Sequence, residues 1–435
     1  MSEDIDEPKS ATRIVLDAAQ RSDLGMVLLT LALIYVAATL LTFTNGLNSV
    51  VGLMRTLTFL GLVYALSALA LNLHWGYTGL FNIGVAGFMA VGVYTMGIVV
   101  RPTDPSLGPP GFGLPLPIGI IAGMTVAALI GLLAALPALR LRADYLAIVT
   151  LGLSEIIRLT LQSSTFDSFL RETLAVGTGG GRGLGMPRNP VREVFLVDGV
   201  AANPTPLGEF VFGIFGDGGL GISHSILIDW GYIFVLAVFL VGFYVLLERL
   251  GRSPFGRTLK AIREDELVAD SLGKNVNVIK IKVFMIGCAL MGLAGILWFG
   301  SQGNVSPTPQ FMPLLTFYIF VAVIIGGSGS NTGAVLGGIV FATVLFEGPR
   351  RVGSAIRGTI DAQTPSSFAD AVVSLDPIAF LAFATDNVAP LQFILLGLVL
   401  IFIMHRRPDG LLGHRIETAA AVDLSKRPNR GETDE

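Results

Sequence analysis

"SPFGRTLKAIREDELVADSLGKN", residues 253–275, is the most charged stretch of the chain, and apolar runs flank it on both sides. Pro254 suits the first turn of a helix, where its missing N–H costs nothing, and Ser253 before it suits the N-cap. Phe255, Leu259, Ile262 and Ala269 fall close to one helical face, a stripe that Glu266 interrupts. Leu272 ends the run before Gly273, a residue type suited to the left-handed C′ position of a helix. The rest of the surface carries Arg257, Lys260, Arg263, Glu264, Asp265 and Asp270. The pattern predicts one or two short amphipathic helices between two apolar segments. Two uses fit it. A solvated loop explains the basic residues. A docking element explains more: its apolar face enters a groove on a soluble partner and its charges, including the Glu264-Asp265-Glu266 cluster, fix register.

Composition says what the apolar runs are. The chain has 435 residues, of which 52% are hydrophobic and 14% charged, and its mean hydropathy is +0.71. Soluble domains carry about 25% charged residues, so length here does not imply several soluble domains. A net charge of −3 excludes the basic footprint of a nucleic-acid binder. The one cysteine, Cys288, excludes an intrachain disulfide and a thiolate metal cluster. The acidic, polar N-terminus lacks the basic and apolar regions of a signal peptide and is expected to be a cytoplasmic tail.

A spanning helix needs roughly 20 apolar residues, and about ten segments qualify. They lie near 25–43, 51–71, 76–100, 114–139, 145–162, 230–247, 281–300, 313–326, 333–347 and 388–404. The fold class expected is an all-α polytopic membrane protein. With the N-terminus inside, the inner segments hold about 19 basic residues against about 8 outside. Among the inner ones are Lys9, Arg13 and Arg21, Arg140 and Arg142, and the basic residues of 248–280. Both termini are then cytoplasmic. The organisation expected is a tail at 1–24, a membrane domain at 25–405 and a second tail at 406–435. The membrane domain carries outer loops at 163–229 and 348–387 and one cytoplasmic loop at 248–280. The eighth and ninth spans are short and flank "GGSGSNTG" (326–333), where the chain either turns or re-enters.

Small residues at four-residue spacing predict close helix packing within one subunit: Ala127, Gly131 and Ala135; Cys288 and Gly292; Gly333 and Gly337. "GGSGSNTG" and "GTGGGRGLG" lack the Lys-Ser/Thr of a phosphate loop, and the four histidines show no ligand spacing. No catalytic constellation is visible, so the chain is not expected to be an enzyme. Polar groups within apolar runs are the candidates for a solute path: Tyr77, Thr78, Asn82, Gly84 and Tyr94 around the first glycine-rich segment, and Glu155. Glu155 and Arg158 are spaced to pair on one helix face, and Arg55 sits early in the second span. His74 and Trp75 are expected to anchor at the membrane interface.

Resemblance decides between the two uses of the charged stretch. "SPFGRTLKAIREDELVADSLGKNV" resembles the cytoplasmic loop of ABC-importer permeases of the branched-chain amino acid type. "GYTGLFNIGVAGFMAVGVYT" (76–95) is similar to that family's first glycine-rich membrane segment, and "LRADYLAIVTLGLSEIIRL" (141–159) to its Y-x-A-I-x-T-L helix. "GTGGGRGLGMP" (177–187) resembles its Thr-Gly-Gly outer loop. "VIIGGSGSNTGAVLGG" (323–338) and "RRPDGLLG" (406–413) match its last glycine-rich segment and its ending. These run in family order over roughly residues 50–413.

The resemblance implies a multi-pass permease subunit of the plasma membrane. It would pair with a second, homologous permease above two cytoplasmic ATPases, one of which would contact this chain through Phe255, Arg257, Leu259, Ile262, Arg263, Glu264, Asp265, Glu266, Asp270 and Gly273. It would receive solute from an external binding protein and sit among membrane lipid. It implies no cofactor on this chain, ATP and magnesium being used by the ATPases, and no nucleic acid. The general importer motif has Glu six residues before the Gly; here that place is Leu267, with Glu266 offset by one. Leu80, Asn82 and Val85 stand where the branched-chain pattern often has Gln, Ser and His. A second reading therefore keeps the architecture and carries urea, short amides or a nucleoside. A third, an ion-coupled secondary transporter, requires intramembrane carboxylates, of which Glu155 is the clear one.

Overall fold

Long apolar runs can cross lipid only by satisfying their own backbone groups, which favours helices. The computed structural model describes residues 23–42, 46–104, 108–138, 143–187, 189–197, 203–216, 219–360, 363–373 and 375–412. The tail expected at 1–24, with its basic residues, and most of the tail expected at 406–435 lie outside the described residues, as do Arg140 and Arg142.

Helices dominate: α1 (Asp23–Thr42), α2 (Leu47–Thr78), α3 (Val85–Val100), α4 (Leu116–Ala138), α5 (Ala143–Gln162), α6 (Ser164–Leu174) and α7 (Pro206–Phe215) come first. Then follow α8 (His224–Arg252), α9 (Pro254–Glu264), α10 (Glu266–Ser271), α11 (Val276–Phe299), α12 (Pro313–Gly326) and α13 (Asn331–Val340). A π-helical turn, Phe341–Glu347, carries α13 directly into α14 (Gly348–Thr359), and α15 (Pro377–Asp386) and α16 (Val388–Arg406) end the described chain. Among the described residues, seven helices are long and apolar enough to cross a membrane. Three further expected spans, Gly25–Leu40, Val85–Val100 and Gln392–Arg406, are shorter apolar helices.

Burial separates centre from periphery. In α2 and α11, 72% of the most apolar window is buried, against 22% in α5. α3, α4 and α11 pack on one another, and α2 packs on α8, α11 and α13. The small residues sit at these crossings. A Cβ on Gly131 would meet Cys288 Cβ at 2.8 Å, and one on Gly292 would meet Ala127 Cβ at 2.8 Å. The spacing read as close packing is thus spent inside this chain.

The two long segments expected as outer loops, 163–229 and 348–387, are not structureless. The first holds α6, α7 and a two-residue strand, β1 (Leu184–Gly185), paired antiparallel with β2 (Asn304–Val305) beyond α11. The second holds α14, α15 and a short helix, Phe368–Val373. The strand pair and an isolated β-bridge between Leu196 and Pro204 are the departures from all-α among the described residues.

Candidate functional site

The charged stretch folds as two helices, as its caps require. Ser253 Oγ accepts from Gly256 N at 3.2 Å and Pro254 occupies the first turn of α9. Asp265 then caps α10, its Oδ1 accepting from Leu267 N and Val268 N at 2.9 and 3.1 Å. Gly273 takes φ 75°, a backbone conformation that an L side chain resists, and its N–H donates to Asp270 O.

The orientation of the stripe corrects the sequence expectation. Leu259, Ile262 and Ala269 are buried against this chain, and Phe255 is half-buried, so the apolar face is not offered to a partner. The acidic cluster is also engaged locally. Glu264 pairs with Arg263, Asp265 caps α10, and Glu266 pairs with Lys280 of α11. Arg257 and Asp270 lie on the surface, as do Arg263 and the locally engaged acids, and with them stand three apolar side chains absent from the expected set: Leu267, Val268 and Leu272, 79%, 55% and 73% exposed. The signal for them was present, since they lie off the buried stripe of an amphipathic helix.

α9 is tied to the end of α2. Arg263 Nη1 donates to Gly76 O at 2.6 Å, and Lys260 Nζ lies 5.7 Å from the centroid of the Tyr77 ring. Beside this contact, Asn72 Oδ1 accepts from Gly329 N at 2.8 Å and Asn72 Nδ2 donates to Asn331 Oδ1 at 3.2 Å. Asn331 Nδ2 in turn donates to Glu248 Oε2 at 3.1 Å. Leu411 N and Leu412 N donate to Ile325 O and Gly326 O. The turn at 326–333, the end of α2, the charged helices and residues 410–412 therefore form one junction.

The polar groups of the first glycine-rich segment lie in the packed interior. Tyr77, Thr78, Asn82 and Tyr94 are buried. Thr78 Oγ1 donates to His74 O at 2.5 Å, and Tyr94 Oη to Val305 O at 3.1 Å. Asn82 Nδ2 is 3.1 Å from His74 Nδ1, and Asn82 Oδ1 accepts from Gly84 N at 2.8 Å. Gly84 is needed bare, because a Cβ there would lie 2.9 Å from Thr150 O. His74 is not an interfacial anchor: it is fully buried, stacked on Phe284 at 4.8 Å. Trp75 packs on Phe81 and Phe320. Glu155 differs from these. It pairs with Arg158 on α5 and keeps 35% exposure, and Arg158 reaches Gln162 and Thr308.

The Thr-Gly-Gly loop wraps one carboxylate. Asp167 Oδ1 accepts from Thr178 N and Gly179 N at 2.7 and 2.8 Å, and Oδ2 accepts from Arg171 Nε at 2.7 Å. Burial alone would raise the Asp167 carboxyl, but the Gly179 and Thr178 amides and the Arg171 guanidinium outweigh it and hold it below the usual carboxylate range. A depressed folded value adds stability above the unfolded value of about 3.9, and that stability is lost as pH falls through the lower folded value. Hydrogen exchange at Thr178 and Gly179 is therefore expected to accelerate only in strong acid, and Asp167→Asn to abolish that transition. An unchanged acid profile in Asp167→Asn would refute the assignment.

The family described as "Branched-chain amino acid transport system / permease component" matches residues 53–404. The chain is a member of this permease family. Its relatives include the high-affinity branched-chain amino acid transport system permease protein LivM of Escherichia coli K12, 34% identical over 281 residues, which is 65% of this chain and 60% of that protein. The probable branched-chain amino acid transport permease protein LivM of Methanocaldococcus jannaschii is 25% identical over 319 residues, 66% of this chain and 79% of that protein. The permease protein LivH of E. coli K12 is 35% identical over 88 residues, 20% of this chain and 28% of that protein. The match to the E. coli and Salmonella typhimurium LivM proteins spans 60% of their length. No solved structure matches the chain. Membership in a family of transport components, with seven candidate spans, makes this permease a multi-pass membrane protein of the plasma membrane and not an enzyme.

Proposed function

We propose that the chain is the membrane-spanning subunit of an ATP-driven importer of branched-chain or related amino acids, coupled to its motor through α9 and α10. One observation carries the reading. The coupling segment buries its amphipathic stripe in its own membrane domain and holds α2 through Arg263, while Leu267, Val268 and Leu272 stand bare. An exposed apolar patch on a segment fastened to a central helix suits force transfer from a soluble partner. The partners are two ATPases using ATP and magnesium, a second homologous permease and an external solute-binding protein facing the 163–229 loop. The seven long helices and three shorter apolar ones support ten crossings with both termini cytoplasmic. Glu155, partly exposed, and Arg158, largely covered, sit on the least buried long helix and belong to the side that faces the path or the second permease, because charges facing lipid are costly.

Leu267→Glu with Leu272→Glu tests this. Neither change removes an internal ion pair, unlike a change at Glu266, which would strand Lys280. Co-purified ATPase is expected to fall at least about tenfold, a loss of about 1.4 kcal/mol, with membrane expression unchanged. Equal retention of the ATPases would refute the docking surface.

A further inference from the structure

Ionisable groups in an apolar segment that still face a cavity are binding candidates. Arg55 on α2 and Asp229 in the second turn of α8 meet across the bundle, Arg55 Nη1 donating to Asp229 Oδ2 at 2.5 Å. Their side chains retain 35% and 42% of full exposure. They line a cavity of about 260 Å³ together with Asn189 of the 163–229 loop and Ser301 just after α11. Phe59 and Ile233 form an apolar wall, and Tyr232 is held in the lining by donating to Leu297 O at 2.6 Å. α8 places this cavity far from the coupling segment: its other end, Arg252, is roughly 35 Å from Asp229 at 1.5 Å per residue.

We propose that this cavity receives a small free α-amino acid with an aliphatic side chain. An anion alone would draw Arg55 away and strand Asp229, and a cation alone would do the reverse. A zwitterion leaves neither charge unpaired, its carboxylate on Arg55 and its ammonium on Asp229. A pair this exposed contributes little by itself, so a ligand opens it at small cost. Asn189 and Ser301 supply an amide and a hydroxyl beside the charges. Phe59 and Ile233 suit the aliphatic side chain. The volume lies below the roughly 300–1,000 Å³ of drug-sized pockets, which fits a solute of this size. The site rests on the importer reading in taking the cargo to be an amino acid. A phosphatidylethanolamine headgroup shares the zwitterionic chemistry, and the test separates the two.

The chain's one cysteine, Cys288, is buried, so Ser301→Cys creates a single reactive thiol at the cavity. The variant is held in phosphatidylglycerol nanodiscs and labelled with a charged methanethiosulfonate reagent. L-Leucine is expected to slow labelling about fivefold at about four times its dissociation constant. Isocaproate and isopentylamine, with one charge each, are expected to slow it less. Asp229→Asn, which still accepts a hydrogen bond from Arg55, is expected to abolish protection. Arg55→Lys, which keeps the charge and loses the planar fork, is expected to weaken it and serves if Asp229→Asn does not fold. Three results would overturn the site: no slowing by leucine, equal slowing by the single-charge analogues, or protection by phosphatidylethanolamine nanodiscs with no response to leucine. ATP-dependent leucine uptake by the wild-type assembly without protection removes the site and leaves the importer reading. Protection without such uptake removes the importer reading and leaves the site.

Discussion

Gly92→Val is expected to leave almost no folded protein, while Gly152→Ala is expected to be tolerated or mildly stabilising. Gly92 on α3 faces Gly292 on α11 at a crossing with no side chain on either face. A Cβ at Gly92 would lie 2.4 Å from Gly292 O and 2.5 Å from its Cα. A Cβ at Gly123 of α4 would likewise lie 2.5 Å from Gly92 O, so three helices meet there on bare backbone. Overpacking costs about 1–3 kcal/mol when side chains can give way. Here the neighbours are main-chain atoms, so the helices themselves must separate, and the cost reaches or exceeds the top of that range. Gly152 on α5 has nothing within 4 Å of an added Cβ, and Ala in place of Gly gains about 1 kcal/mol of helix propensity. The amount and monodispersity of protein extracted in mild detergent, with its thermal midpoint, measure both. Wild-type recovery of Gly92→Val would mean that α3 and α11 do not cross this closely.

Asn72→Leu carries the second large effect. The side chain is fully buried, accepts from Gly329 N and donates to Asn331 Oδ1. Leucine has similar bulk and neither polar atom, so an amide hydrogen and an amide oxygen lose their partner in a packed interior. Each buried group left unsatisfied costs about 1–3 kcal/mol. The loss falls at the junction that joins α2 to the 326–333 turn, next to the Arg263 contact with Gly76. Hydrogen exchange across 326–333 is therefore expected to rise sharply and the thermal midpoint to fall by several degrees. Asn72→Asp keeps the acceptor for Gly329 N and is expected to protect that amide better than Asn72→Leu. Equal exchange in the two variants would show that Asn72 does not hold the turn.

The local features of the coupling segment were legible. Ser253, Pro254 and Gly273 act within a turn of themselves, and short-range chemistry dictates their roles; Asp265, read only as part of the acidic cluster, caps α10 in the structure. The direction of the stripe was not legible, because burying Leu259 and Ile262 in a partner or in one's own bundle requires the same periodicity. The small-residue spacing in α4 and α11 announced close packing, and the face-to-face pairing of Gly131 with Cys288 needed coordinates. Asn72 illustrates the hardest case. It stands just before the glycine-rich segment, but its partners lie more than 250 positions away, and no local pattern encodes that distance. Asp229 escaped notice for a simpler reason: it stands at the margin of an apolar run, where a charge reads as a boundary. β1 and β2, two residues each, are too short to show alternation.

The contact of residues 410–412 with the 326–333 turn has a consequence for biogenesis. Gly410 is seated against Gly327, where a Cβ would lie 2.5 Å from the Gly327 nitrogen. Those residues are translated after α16, the last described helix. A nascent chain that has already made α2, α9 and α12 thus still lacks one wall of this junction. The junction closes only when α16 has been made and has brought the chain back to the 326–333 turn. If the junction is the ATPase seat proposed above, synthesis order acts as a checkpoint, since a half-made permease then presents an incomplete seat.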